Sequence, residues 1–334
     1  MAAAIAPRGH RRAALLAGAA LGTLPDMDTF VLMALTDDPV QRMTLHRGLS
    51  HSLFVLPLLG SLIWWLFKRF GAGRVAQAPG RWWWAIVLAL VTHPMLDAFT
   101  VYGTQVWWPL ALTPAVWGGV FIIDPLYTVP LLIGCAVAWF ARAGAVAQRA
   151  LVAGLVLSSG YLGWSLLARH QVQQQARQDL VAQGVQPQRL IAAAQPFNTL
   201  LWRVIAVGPG GYWVGERSLV ADRGPMQFHF HASDDQALMA NAQLPAVQQL
   251  AWFNGGFMRA RVEAGRLVLS DLRMGMDPDY TFNFAVARRV DGQWQAIAPE
   301  QIQPDFARAE RRAEAGARLA AMWHRIWQAP APAQ

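Results

Sequence analysis

The sequence predicts an α-helical transmembrane bundle of about five membrane segments over residues 1–168, then a C-terminal α+β domain over 169–325 and a disordered tail over 326–334. Three observations predict it. The chain is 54% hydrophobic and only 14% charged, which is far from the composition of a soluble domain. The long apolar runs are confined to residues 13–168, whereas the remainder has a mixed composition. In that remainder, β-rich runs alternate with glycine-containing turns.

An apolar helix needs about 20 residues to cross a bilayer. Five runs reach or approach that length, at 13–35, 50–67, 82–101, 117–141 and 149–168. The first is interrupted by "LPDMD", so four full spans plus one dipping segment is the alternative count. The opening "MAAAIAPRGHRR" is basic and no cleavage site follows it, so no removable signal peptide is expected. Arg8, Arg11 and Arg12 precede the first run, Lys68, Arg69, Arg74 and Arg81 separate the second from the third, and Arg142 and Arg149 separate the fourth from the fifth. Residues 36–49 carry only Arg42 and Arg47, and residues 102–116 carry no lysine or arginine. The positive-inside rule then puts the N-terminus and the basic loops in the cytoplasm of a bacterial inner membrane, and the C-terminal domain outside.

The formal charge of +8 raises the class of nucleic-acid binders, but the arginines stand between apolar runs, where topology explains them. No nucleic-acid partner is expected. Cys135 is the single cysteine and lies in an apolar run, which excludes an intramolecular disulfide and a thiolate metal site.

On this topology Asp26, Asp28, His46, His51, His93, Asp97 and Asp124 all fall at one depth in the outer half of the bundle. Ionisable groups are costly there and face a cavity or one another. His93 and Asp97 are four residues apart, on one helix face. His46 and His51 are five apart, which suits a loop or a helix start, and Pro25 turns the first segment at Asp26. Each motif has a plainer reading. "DMD" serves as a cap or turn, Asp124 starts a helix with Pro125 in its first turn, and "HRGLSHS" binds lipid phosphates through Arg47. The shared depth favours a divalent metal, zinc first, because mixed His and Asp ligation suits it.

The stretches "GTLPDMD", "HRGLSHSLFVLPLL", "THPMLDAFTVYGTQVWWPL" and "FIIDPLYTVPLLIG" resemble the membrane-bound metal-dependent hydrolases of the YdjM type. "PFNTLLWRVIA" is similar to a subgroup with an added C-terminal domain. More distantly, that family is grouped with zinc-dependent phospholipase C and P1-type nucleases. The resemblance implies metal ligation by Asp26, Asp28, His46, His51, His93 and Asp97, with Asp124 at the margin of the set. It also implies an N-terminal amphipathic helix opening on "MD", in place of which this chain has "MAAAIAPRGH". Either the start lies upstream or one contribution to the site is absent.

The chemistry expected of such a site is phosphoester hydrolysis, with a metal-bound water as nucleophile, Arg47 offsetting phosphoryl charge and Asp124 orienting the water. Ser50, Ser52, Thr100 and Tyr102 are expected to orient the ligands, Tyr102 being equally an interfacial anchor. Depth points to membrane lipids as partners and to a lipid or lipid-linked substrate. A metal-ion or proton pathway and a non-enzymatic scaffold with a structural metal are the alternatives. Nothing in the sequence sets an oligomeric state.

In the C-terminal part, residues 169–190 read as a polar helix ending near Gly184. Hairpins are expected around "GPGG", Ala264-Gly265 and Asp291-Gly292, a strand at "MQFHFHA", and helices at 234–250 and 303–327. His229 and His231 share a strand face, as a metal pair or as surface and partner-facing residues.

Overall fold

Apolar length decides most of the N-terminal architecture. The computed structural model describes residues 1–71, 73–141, 144–276, 279–303 and 309–330, with side chains omitted for 309–315. Arg142, residues 304–308 of the expected last helix and residues 331–334 of the expected tail lie outside the described residues. Two units divide the chain: Met1–Asp37 with Thr44–Trp117 and Ile122–Trp164, and Asp38–Met43 with Gly118–Phe121 and Ser165–Gln334.

The helices of the first part are α1 Ala2–Ile5, α2 Arg11–Thr23, α3 Asp28–Leu35, α4 Pro39–Leu45, α5 Val55–Phe70, α6 Arg74–Gln77, α7 Pro79–Ala98, α8 Pro125–Ala141 and α9 Ala145–Ala182. Among the described residues, two helical stretches are long and apolar enough to cross a membrane, Arg8–Leu35 and Ala145–Ala182. A third results if the pair Pro39–His51 and Val55–Phe70, bent by 56°, counts as one span. The expected count of five is not reached on length and composition. The run at 117–141 becomes helical only at Pro125, and its 17 residues span ~26 Å against ~30 Å of hydrocarbon. In α7 the polar Arg81, Thr92, His93 and Asp97 dilute the apolar content.

Large apolar side chains point outward from these helices, among them Leu58, Leu62, Trp65, Phe140, Val156 and Leu157, as a lipid-facing surface requires. Inside, small residues set the spacing. A Cβ on Gly134 would meet the Ala150 carbonyl at 2.8 Å, and one on Gly154 would meet the Pro130 carbonyl at 2.6 Å. The pair of glycines lets α8 and α9 approach backbone to backbone, which is how helices associate without a hydrophobic drive. Two arginines that the charge rule counts only as topology signals also hold the bundle. Arg11 is 1% exposed and donates to the Gly144 carbonyl and Gln148, and Arg12 donates to the Trp139 carbonyl in the last turn of α8.

The second unit is built on antiparallel sheets. β1 Arg189–Ala194, β2 Leu201–Gly208, β3 Gly211–Ser218 and β4 Phe228–Ala232 pair in that order. α10 Asp235–Ala240 and α11 Pro245–Phe253 follow. β5 Met258–Glu263, β6 Arg266–Asp271, β9 Asn283–Val290 and β10 Gln293–Gln301 form a second sheet in the order β10-β9-β6-β5. β7 Gly275–Met276 and β8 Asp279–Tyr280 make a short separate pair, and α12 Ala309–Trp327 is the last helix. Ala168, Val172 and Ala176 of α9 bury Ala192, Trp202 and Val204, which gives the first sheet its apolar face.

The three expected hairpins are present. Ala264-Gly265 and Asp291-Gly292 have positive φ at both positions, the geometry that matches strand twist in two-residue turns. The helix expected at 234–250 is two, because Pro245 starts a new one after the chain turns at Asn241–Leu244. β1 was not foreseen, its "RLIAAA" being as suited to a helix as to a strand.

Gly154→Leu is expected to cost on the order of 1–3 kcal/mol by overpacking. Gly160 on the same helix has open space beside it, so Gly160→Leu serves as the control. Thermal unfolding of the detergent-solubilised protein should show a lowered Tm for the first variant only.

Candidate metal centre

Three short segments bring the donors together, and each is shaped by a residue that breaks regular helix. Pro25 opens a 3-10 turn, Pro25–Met27, between α2 and α3, and Asp26 lies in that turn. After α4 the chain reverses at Arg47, whose φ of 62° is left-handed, and passes through Gly48 into a second 3-10 turn, Leu49–His51. A Cβ on Gly48 would stand 2.8 Å from the Leu45 carbonyl, so the reversal needs glycine there. The five-residue spacing of His46 and His51 is thus taken up by a turn. The third segment is the last part of α7, where His93 and Asp97 sit one turn apart.

The donor atoms of Asp26, His51, His93 and Asp97 all lie within 4.8 Å of one another. His51 Nε2 is 3.2 Å from His93 Nε2. Asp97 Oδ2 is 3.2 Å from His51 Nε2 and 3.3 Å from His93 Nε2, and Asp26 Oδ1 is 3.4 Å from each imidazole nitrogen. A tetrahedral ion with bonds of about 2.0–2.1 Å sets its donors about 3.3–3.4 Å apart. The five separations that involve an imidazole therefore fit a tetrahedral divalent ion, and the two carboxylates lie within 4.8 Å of each other. A further observation agrees with it: Asp97 Oδ2 is buried and makes no hydrogen bond, although two ring nitrogens face it. The set is enclosed on three sides. The His51 side chain is 0% exposed, those of Asp97 and His93 are 14% and 15% exposed, and that of Asp26 is 47% exposed.

A second layer orients the first. His51 Nδ1 is 2.9 Å from Ser50 Oγ, and Ser50 Oγ donates to Asp28 Oδ2 at 2.6 Å. With its hydroxyl hydrogen committed to Asp28, Ser50 accepts the Nδ1 proton of His51, which leaves the Nε2 lone pair facing the other donors. Asp28 Oδ1 is 2.8 Å from His46 Nδ1, and Asp28 Oδ2 accepts the Arg47 backbone N–H at 3.1 Å. The Arg47 guanidinium is buried. Its Nε lies 3.4 Å from Asp97 Oδ2, its Nη1 donates to Thr100 Oγ1 at 3.3 Å, and it rests 4.8 Å over the Tyr102 ring.

A profile of the YdjM inner membrane protein family matches residues 1–172, over half of the chain and including all four donors. The chain belongs to that family. No curated protein and no solved structure matches it. Within this YdjM region, the expected residues separate into groups. Asp26, His51, His93 and Asp97 converge. Asp28 and His46 pair with each other one layer out, and Arg47 contacts a donor carboxylate.

Asp124 is outside the convergent group. Its Oδ1 accepts from the Leu126 and Tyr127 backbone N–H groups at the start of α8, and its Oδ2 accepts from Tyr161, so the plainer capping reading describes it. Ser52 likewise caps: it accepts from the Phe54 and Val55 N–H groups and donates to the Trp108 carbonyl, so it orients no imidazole. Gln105 was not foreseen. Its backbone N–H donates to the Arg47 carbonyl and its side chain to the Thr44 carbonyl, bracing the reversed turn from outside. Its position in an uncharged loop gave no sequence signal.

Mass spectrometry of protein purified without chelator is expected to find about one divalent ion per chain, as a single four-donor set predicts. That ion should be lost in a His93→Ala, Asp97→Ala variant. Asp28→Asn is expected to weaken the affinity by about 10–100-fold without abolishing binding, the usual cost of losing an orienting partner. A chelator competition titration checks this.

Proposed function

We propose that the chain is an integral membrane metal-dependent hydrolase that holds zinc on Asp26, His51, His93 and Asp97 and cleaves a phosphoester of a lipid or lipid-linked substrate. The observation that carries the reading is the near-tetrahedral spacing of two imidazoles and two carboxylates with one carboxylate half exposed. A zinc ion held by four protein donors is ordinarily structural, whereas a catalytic one keeps one position for water, so on this reading the half-exposed Asp26 carboxylate is the donor that would yield its position. When bound, such an ion lowers the pKa of a coordinated water and polarises a phosphoryl oxygen.

The chain's own residues supply the rest. Asp97 is held in place by Arg47 at 3.4 Å, so Arg47 acts by positioning this donor and by adding positive charge beside the centre. His46 has its Nδ1 fixed by Asp28, and its ring centroid is 5.8 Å from that of His51. This dyad is the proton acceptor of the reading, taking the role first expected of Asp124. Substrate class rests on the family's inner-membrane character and on the apolar surface around the centre. On the same reading the chain passes the membrane about five times, with the N-terminus cytoplasmic and the C-terminal domain outside.

Metal-loaded protein incubated with a panel of phospholipids and lipid-linked phosphates should release a phosphorylated head group or inorganic phosphate, detected by mass spectrometry. His93→Ala should remove the activity, and His46→Ala should lower kcat while leaving the metal bound. Loaded parent protein that releases nothing across the panel would overturn the hydrolase reading and leave an ion pathway or a scaffold.

A further inference from the structure

The β-sheet unit holds a second concave site that shares no residue with the metal centre. A cavity of about 990 Å³ is lined by one face of the β2-β3-β4 sheet, by the loop after β3 and by the end of the chain beyond α12. Strand register puts Arg203 opposite Glu216 and Val214 opposite His229, so these side chains and His231 project from one face.

The charges in this cavity do not cancel. Arg325 is engaged by Asp222 through two contacts, at 2.8 and 2.6 Å. Arg203 is only 8% exposed, and its guanidinium donates to the Gly275 carbonyl and lies over the Tyr280 ring. Arg203 makes no ion pair among the described residues; Glu216, its neighbour in register, accepts from Gln195 and lies 4.0 Å from Arg325 Nε. Burial pushes the Glu216 carboxyl above its ordinary pKa. Arg223, at the mouth, is exposed and likewise has no ion pair among the described residues. A buried guanidinium without a carboxylate is costly and is stabilised by an anion that fills the space in front of it.

His231 is stacked on Tyr212 at 5.1 Å, and burial, then Arg259, lowers its pKa, which favours the neutral ring. The remaining wall is apolar, with Val214, Met226, Phe228 and Met276. Oxyanion recognition at one end and an apolar wall along the side are the two requirements of an amphiphilic anion.

We propose that this cavity binds a small organic anion, a phosphate- or carboxylate-bearing molecule with an apolar body, with Arg203 and Arg223 receiving the anionic group. Calorimetric titration uses the full chain in detergent with the His93→Ala, Asp97→Ala substitutions, so that binding at the metal centre is not read. The probes are phenylphosphonate, phenylacetate, benzyl alcohol and inorganic phosphate.

Phenylphosphonate or phenylacetate should bind, whichever of the two is the tighter naming the anionic group, and benzyl alcohol should not. Arg203→Met should weaken binding about tenfold or more, the scale of a charge-assisted hydrogen bond. Because a buried position tolerates change poorly, the exposed Arg223→Ala is the second variant, with a several-fold loss expected. Neither anion binding, or affinities unchanged in Arg223→Ala and in a folded Arg203→Met, overturns the proposal. Inorganic phosphate binding as tightly as phenylphosphonate would overturn the assignment of an apolar body.

Discussion

Lone pairs that converge on one point repel unless something positive stands there, and this constraint organises the N-terminal half. Two imidazole nitrogens face each other and two carboxylate oxygens across 3.2 to 3.4 Å, drawn from segments that are far apart in sequence. A regular helix could present two of them, as α7 does with His93 and Asp97. The others require breaks: a proline turn for Asp26, and a left-handed reversal at Arg47 for His51. The strain at Arg47 is over-determined by its surroundings. Its N–H is held by Asp28, its carbonyl by Gln105 and its guanidinium by Asp97 and Thr100.

The first unit treats its interior in two ways. Around the donors, polar groups are matched in chains, such as His51 to Ser50 to Asp28 to His46. Elsewhere, contact comes from the absence of side chains, with Gly134 and Gly154 each lying against a carbonyl of the facing helix. Hydrogen bonds hold the donors in orientation, and close backbone approach holds the helices that carry them.

The donors were legible in the sequence because ionisable residues in apolar runs are conspicuous, and because the spacing of His93 and Asp97 reads directly as one helix face. Which carboxylates and imidazoles would touch was not legible. Asp28 and Asp26 differ by two residues and look alike in the string. The 3-10 geometry of Pro25–Met27 sends one to the donor set and the other to His46. Asp124 shared the depth of the others, but depth does not give direction, and the backbone N–H groups of α8 take its side chain. Hairpins with Ala-Gly and Asp-Gly turns were read correctly because the turn chemistry is local. The split of α10 from α11 was missed because Pro245 starts a helix as readily as it ends one. That Arg203 of β2 makes no ion pair among the described residues, although Glu216 is its partner in register, could be seen only in the structure.

Asp26 differs from the other three donors in being half open to its surroundings, and like the fully buried His51 it is carried on a 3-10 turn between two helices. An ion held by the four would meet a closed wall at His51 and an open one at Asp26. Exchange would therefore run through a single gate, with the carboxylate of Asp26 the first contact made on entry and the last one broken on departure. The rates of entry and departure would be set at that turn, while the affinity follows the geometry of all four donors. Substitutions around Pro25 would thus change how fast metal is gained and lost and, because they move a donor, how tightly it is held.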